Sequence, residues 1–193
     1  MWVVGLGNPG IRYAGTRHNV GHAVVLRLVD RWRARRTARE PAFEAFRAAL
    51  PGRAGRTVTL LMPLAYMNRS GEALGAYESW SGERLVAGET LVLCDDIYLP
   101  VGEIRIRPQG TTGGHRGLES VERRFGTLEY PRLRIGVGAA PGEQLVDHVL
   151  SSFEEAEREA LVESLERAAE AAEIWAVEGA VAAMNRFNRR SRG

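Results

Sequence analysis

The opening segment of the chain constrains its fold most strongly. Residues 2–4 read Trp-Val-Val and predict the start of a short buried strand, which ends at Gly5. The glycines that follow permit tight turns and a close approach of the backbone to a ligand. His18 comes next, at the expected start of a helix. Because loops at strand ends converge over a rigid sheet in α/β proteins, this segment predicts a site that contains Asn8 and His18.

Residues 5–10 read Gly-Leu-Gly-Asn-Pro-Gly, which has the spacing of a dinucleotide-binding fingerprint. That fingerprint needs a helix whose N-terminus faces the pyrophosphate. Pro9 lacks a backbone donor, and residues 11–15 are turn-like. Asp30 has roughly the spacing of the ribose-binding acid, but it lies within an amphipathic helical pattern. The sequence context therefore argues against a nucleotide site.

The 193 residues suit a single domain with a substantial core, and we expect that domain to span 1–193. No apolar run is long enough for a membrane span, so we expect no membrane partner. The single cysteine, Cys94, rules out an internal disulfide and fits a cytoplasmic protein. The net charge is only +2, although all 26 basic residues are arginine. Charge alone does not identify a partner.

Strand and helix patterns mix along the chain without repeats or linkers. They predict an α/β fold with a twisted mixed β-sheet flanked by helices. Apolar residues on one helical face predict a helix over residues 16–36. A short alternating stretch of residues predicts an edge strand over 43–50. Ser152 and Glu155 have the spacing of a capping box before a long helix. We expect residues 179–193 to form a C-terminal helix and a basic tail.

Polar residues follow the predicted strands and supply candidates for chemistry. Asn8 follows the first strand, Asn68 follows a middle one, and Asp95 and Asp96 end the next. His18 with Asp95 forms a credible general base and orienter, because a carboxylate fixes the tautomer of an imidazole and stabilises its protonated form. The amides of Asn8 and Asn68 are suited to hold a carbonyl. Without a serine in a nucleophile-elbow context, attack by activated water is more natural than a covalent intermediate.

Other interpretations of the same residues stay open at this point. His18 near a helix start is also typical of a capping or surface residue. His18 and His22 have the spacing of a zinc pair, but no second pair of ligands accompanies them. Asp95 and Asp96 suit magnesium only if both carboxylates face one site. Cys94 beside two carboxylates is better explained as an inert buried thiol. We therefore predict no metal and no cofactor.

Several motifs, in order and at characteristic spacing, resemble bacterial-type peptidyl-tRNA hydrolase. The first covers residues 5–10 and continues through Tyr13 to residues 16–19. The later ones are Met62-Pro63, Tyr66-Met67-Asn68-Arg69-Ser70-Gly71, Asp95-Asp96, Leu99-Pro100-Val101-Gly102, Gly113-Gly114-His115, Gly117-Leu118 and Arg132-Leu133-Arg134-Ile135-Gly136. The resemblance implies a monomeric, cofactor-free esterase without an obligate protein partner. Its substrate would be peptidyl-tRNA, which it would hydrolyse to free tRNA and peptide.

The resemblance also implies roles for individual residues. His18 matches the base, Asp95 its partner, and Asn8 a catalytic amide. Residues matched to substrate or tRNA binding comprise Tyr13 and Tyr66 at the tRNA 3′ end, Arg107 and Arg134 as a clamp for the 5′-phosphate, and Asn68, Met67, His115 and Arg116.

Two positions depart from the family pattern. Tyr98 stands where the family usually has a second aspartate of an acidic loop, and Arg116 stands where it has an asparagine that contacts substrate. These departures leave a second hypothesis open, a catalytically weak or inactive RNA-binding relative of the same fold. We expect Arg116 to turn outward toward tRNA phosphates, because an unpaired buried cation is costly.

Overall fold

The computed structural model describes residues 1–50 and 52–188, and within them one mixed sheet of seven strands organises the chain. The strands are β1 (Trp2–Gly5), β2 (Arg35–Glu40), β3 (Phe43–Ala49), β4 (Thr57–Pro63), β5 (Thr90–Asp96), β6 (Ile104–Arg107) and β7 (Arg132–Gly136). Their order is β2-β3-β4-β1-β5-β7-β6. The four central strands are parallel, and the outer ones pair antiparallel. The predicted α/β class with a mixed sheet is confirmed.

Helices cover both faces of this sheet. They are α1 (Val20–Arg31), α2 (Ser70–Ser81), α3 (Arg116–Phe125), α4 (Leu145–Leu150), α5 (Arg158–Glu178) and α6 (Ala180–Phe187). One core cluster joins α1, α5 and α6 to the first face, and a second joins α2 and α3 to the opposite face. In the described part of the chain, no helix combines the length and apolarity that a membrane crossing requires.

The glycines of the opening motif let α1 pack directly on β1. A Cβ on Gly5 would lie 2.3 Å from the carbonyl oxygen of Gly21, and one on Gly7 would lie 2.6 Å from Nδ1 of His22. After Gly10 the chain forms a three-residue 3₁₀ helix, Ile11–Tyr13. The fingerprint would need an α-helix there. These glycines therefore serve helix packing, which explains the spacing without a nucleotide.

The predicted helix over residues 16–36 is wrong at both ends. Residues 17–19 form a 3₁₀ turn, and α1 ends at Arg31 because Arg33 adopts a left-handed conformation with φ 49°. The chain then runs as β2, which the sequence analysis did not predict. Only Ala38 of β2 is buried, so this edge strand carries no apolar alternation. Residues 43–49 form the interior strand β3, not an edge.

The segment before α5 also differs from expectation. The capping box joins Glu154 to Glu157, whose carboxylate accepts the backbone N–H of Glu154 at 2.8 Å. Ser152 instead forms an isolated β-bridge with Thr16. The helix predicted after Gly179 is present as α6, whereas the basic tail at 189–193 lies outside the described residues. The extent 1–193 of the domain stays a prediction.

Candidate active site

The carboxylate of Asp95 holds two histidine rings at the end of β5. Its Oδ1 lies 2.8 Å from Nδ1 of His18 and 2.8 Å from Nε2 of His115. Burial disfavours the charged carboxylate, but the electrostatic attraction and the hydrogen bonds of the two imidazoles outweigh it and hold the pKa of Asp95 well below its usual value. Asp95 is therefore ionised and accepts a hydrogen bond from each ring.

The hydrogen bonds assign the proton on each imidazole. His115 caps α3, and its Nδ1 accepts the backbone N–H groups of Gly117 and Leu118 at 3.1 and 3.3 Å. Its proton must therefore lie on Nε2, which donates to Asp95. His18 donates to Asp95 through Nδ1, so its Nε2 carries the lone pair. His18 is part-exposed at the cleft, and this nitrogen can accept a proton there.

The same tautomers disfavour a metal ion at this cluster. His18, Asp95 and His115 offer ligand atoms within 4.8 Å of one another. A neutral His115 that accepts at Nδ1 has no lone pair on Nε2 for a metal. His22, the other half of the considered zinc pair, donates from Nε2 to the carbonyl of Pro63 at 3.0 Å. Burial lowers the pKa of His22 to about 4, so that ring is neutral.

Asn8 is held so that its amide nitrogen is left for a ligand. Its Oδ1 accepts the backbone N–H of Met67 at 2.8 Å, which leaves Nδ2 as the other group of this side chain. The side chain of Asn19 brackets the Asn8 backbone, accepting its N–H and donating to its C=O, both at 2.9 Å. Asn8 is 7% exposed and lines the cleft. A donor fixed in this way suits a substrate carbonyl.

These groups open into a cleft of about 300 Å³. The predicted residues that line it are Asn8, His18, Tyr66, Met67, Asn68, Asp95, His115, Arg116 and Arg134. The side chains of Tyr66, Asn68 and Arg116 are exposed, whereas Met67 is 4% exposed and packs against Gly117. The cleft therefore joins a polar floor to an open rim.

Two predicted residues lie away from this lining. Tyr13 stands on the 3₁₀ helix after Gly10, where the guanidinium of Arg12 covers its ring at 4.6 Å. Arg107 is exposed at the end of β6. Arg107 pairs with Arg132, two residues before Arg134, so Arg107 and Arg134 point to one sheet face as alternation predicts. Their roles in tRNA binding stay predictions.

Arg134 is already engaged by its own chain. Its guanidinium lies 3.2 Å from Oδ2 of Asp96 and donates to the carbonyl of Thr111 at 2.8 Å. Asp96 also accepts the N–H of Tyr98 at 2.8 Å through Oδ1. The two adjacent aspartates thus serve different partners and do not converge on one magnesium site. The thiol of Cys94 is fully buried, and burial raises its pKa to about 12, as expected of an inert thiol.

Comparison with known proteins identifies the family. The family model described as "Peptidyl-tRNA hydrolase" matches residues 2–193. The chain belongs to the peptidyl-tRNA hydrolase family. A relative from Chloroflexus aggregans named peptidyl-tRNA hydrolase is 44% identical over 97% of this chain and 99% of its own length. Another, from Synechococcus sp. (strain JA-3-3Ab), is 46% identical over 96% of this chain and 81% of its own length.

Solved structures of this family share the whole fold. The peptidyl-tRNA hydrolase from Acinetobacter baumannii superposes with a TM-score of 0.86 at 31% identity, covering 97% of this chain and 93% of its own. A peptidyl-tRNA hydrolase in complex with N-propanol gives 0.87 at 30% identity, covering 100% and 96%. The likeness therefore extends beyond the motifs to the complete sheet and its helices.

Sequence reasoning missed three structural contributors to this peptidyl-tRNA hydrolase site. Asn19 was noticed only as part of a motif, although it brackets Asn8. Arg17 is buried, bonded to Glu157 at 2.6 Å and to the carbonyl of Val137 at 2.9 Å. The apolar wall from α4 was not predicted at all. Its lining residues are Leu145, Val146, Val149 and Leu150. Successive members of this set are one, three and one positions apart, which is the spacing of one helical face. The sequence alone could have revealed this pattern.

Proposed function

We propose that this chain hydrolyses the ester bond of peptidyl-tRNA and thereby supports translation. The observation that carries the proposal is the hydrogen bond from His18 Nδ1 to Asp95, which leaves the Nε2 of this ring to accept a proton at a cleft that Asn8 also lines. Family membership gives the substrate class.

The chemistry follows from the geometry of these groups. His18 Nε2 takes a proton from a water molecule, whose oxygen attacks the ester carbonyl carbon. Asp95 stabilises the imidazolium that forms. The ester C–O bond then breaks, and the imidazolium returns its proton to the departing 3′-oxygen of the tRNA. Nδ2 of Asn8 donates to a substrate carbonyl, and Asn68 at the rim is a second donor. No step requires a metal or cofactor.

The substrate has two dissimilar ends, and the cleft offers a wall for each. Tyr66 is 51% exposed, and an exposed ring of this kind can stack on an unpaired base of the 3′ end. The apolar side chains of α4 suit side chains of the peptide. Tyr13 and Arg107 lie outside the cleft lining, where only a ligand as long as a tRNA arm could also reach them. We further propose that the protein is cytoplasmic and acts as a monomer.

The decisive experiment compares release of free tRNA from an N-acetylated aminoacyl-tRNA by the wild type and by His18→Ala. Loss of a general base typically costs 10² to 10⁴ in rate, so we expect kcat to fall by roughly that factor while tRNA binding changes little. Asp95→Asn should also lower kcat, because an amide does not stabilise imidazolium. Near-full activity of His18→Ala would contradict the proposed role of His18 as the general base.

The second hypothesis, an RNA-binding relative without activity, is not favoured by these observations. Base, orienter and amide are all held by hydrogen bonds, although Arg116 and Tyr98 depart from the family pattern. Tight tRNA binding by the wild type with no release of the acyl group would favour it.

A further inference from the structure

Arg116 brings into the cleft a charge that no direct ion pair neutralises within the described part of the chain. It is the first residue of α3, and its side chain is exposed where it lines the cleft. Its guanidinium takes part in none of the hydrogen bonds or ion pairs formed among residues 1–50 and 52–188. Arg134, the other arginine of the lining, is neutralised by Asp96. Arg116 is therefore the cation that a bound substrate meets.

The carboxylates of the lining are buried and already hydrogen-bonded within the protein. Asp95 is 3% exposed and Asp96 is 7% exposed. Both oxygens of Asp96 are occupied by Tyr98 and Arg134, and Oδ1 of Asp95 is shared by two histidines. The ionised Asp95 carboxylate nevertheless places a negative charge at the floor of the cleft. That charge favours any cation that enters the cleft unless a positive group offsets it.

We infer that Arg116 is a specificity-determining residue that excludes substrates with a free, protonated α-amino group. The inference rests on the proposed function, and it concerns the difference between peptidyl-tRNA and aminoacyl-tRNA. The α-nitrogen of a peptidyl group is a neutral amide, whereas that of an aminoacyl group is an ammonium near neutral pH. Arg116 repels the ammonium and leaves the amide unaffected.

This exclusion is a case of specificity by a repulsive contact rather than by an added attraction. Unit charges about 5 Å apart at effective dielectric constants between about 40 and 80 interact strongly enough to change a rate about 4- to 16-fold. The family pattern has a neutral asparagine amide at this position. The repulsion therefore comes from the arginine that replaces it in this chain. It acts in addition to the Asn8 donor.

The test uses three acylated forms of one tRNA with the same side chain. The α-substituent is acetamido, ammonium or hydroxyl, and the hydroxyl form is a neutral substitute of similar size for the ammonium. The measured quantity is the ratio of kcat/KM for the ammonium form to kcat/KM for the hydroxyl form. We expect Arg116→Gln to raise this ratio about 4- to 16-fold. Arg116→Lys, which keeps the charge, should leave the ratio near that of wild type.

Arg35→Gln is the matched control, because it removes the same charge from the exposed edge strand β2. Its ratio should equal that of wild type. An unchanged ratio in Arg116→Gln, or an equal rise in Arg35→Gln, would overturn the inference. Failure of the wild type to release the acetylated form would instead overturn the proposed function, and the inference would fall with it. The acetamido substrate thus separates the two failures.

Discussion

The position of the Asn8 amide depends on a second asparagine, Asn19, which is not part of the cleft lining. Asn19 uses both atoms of its own amide on the backbone of Asn8, while Met67 holds the Asn8 side chain. Because the three contacts leave Asn8 little freedom, its Nδ2 is presented at one position. Preorganised donors of this kind require no reorientation during the reaction.

This arrangement predicts that Asn19 acts through Asn8. Asn19→Ala should lower kcat and also reduce the free energy of unfolding by about 1–3 kcal/mol, because it leaves buried backbone groups unpaired. Asn8→Ala should lower kcat and also destabilise the fold, because it leaves the buried N–H of Met67 unpaired. In the double variant the two losses of kcat should not add, since the second change acts on an amide that is already gone. Additive losses would show that Asn19 works independently of Asn8.

The sequence predicted the site residues where a motif coincides with the end of a predicted strand. His18, Asp95 and Asn8 do meet, because the carboxyl ends of the adjacent parallel strands β1 and β5 lie at one edge of the sheet. The sharing of Asp95 by His115 could not be predicted, because it depends on how the glycine loop before α3 folds back. Nor could the neutralisation of Arg134 by Asp96.

At the scale of elements, α4 is attached to the loop that carries His18. Arg17 binds Glu157 and the carbonyl of Val137, and its N–H donates to the carbonyl of Ser151 at 3.0 Å. These bonds connect residues distant in sequence, and therefore no local pattern predicted them. The strand β2 was missed for the converse reason, since its arginines face solvent and give no apolar period.

The Arg17–Glu157 ion pair should stabilise the fold and fix the position of α4 relative to the loop that carries His18. Arg17→Met removes a buried charge and leaves Glu157 unpaired, and breaking such a pair typically costs about 3–5 kcal/mol. Because Glu157 is partly exposed, we expect the lower end of that range in urea unfolding. Glu157→Gln keeps a hydrogen-bond acceptor but leaves the buried Arg17 cation without a counter-charge, so it should cost at least as much. A Glu157→Gln protein as stable as the wild type would show that the ionic part of the contact is unimportant.

At the scale of the whole molecule, His22 joins α1 to the end of β4. Its ring donates to the carbonyl of Pro63 and lies against Gly7, so the first loop, the helix and the central sheet meet there. The ring is 7% exposed, and burial lowers its pKa to about 4 despite the bond to Pro63. In the unfolded chain the ordinary pKa of histidine, about 6.5, returns.

This difference predicts acid lability of the fold between pH 6.5 and 4. In that range the unfolded chain binds a proton at His22 and the folded chain does not, so the free energy of unfolding falls as the pH falls. The full loss is roughly 3 kcal/mol, since one pKa unit corresponds to about 1.4 kcal/mol. The carboxylate of Asp95 acts separately, because its depressed pKa contributes stability that is lost only below about pH 4.

His22→Gln isolates the contribution of this ring. Glutamine retains a donor for Pro63 and does not titrate, so its absolute stability can differ while its pH dependence reports the missing proton. The measurement is urea unfolding of both proteins at intervals from pH 7 to pH 4. We expect the stability of the wild type to decline more steeply than that of the variant, by a difference of about 3 kcal/mol across the range. Parallel declines would mean that His22 takes up its proton in the folded protein as it does in the unfolded chain, so that burial does not lower its pKa.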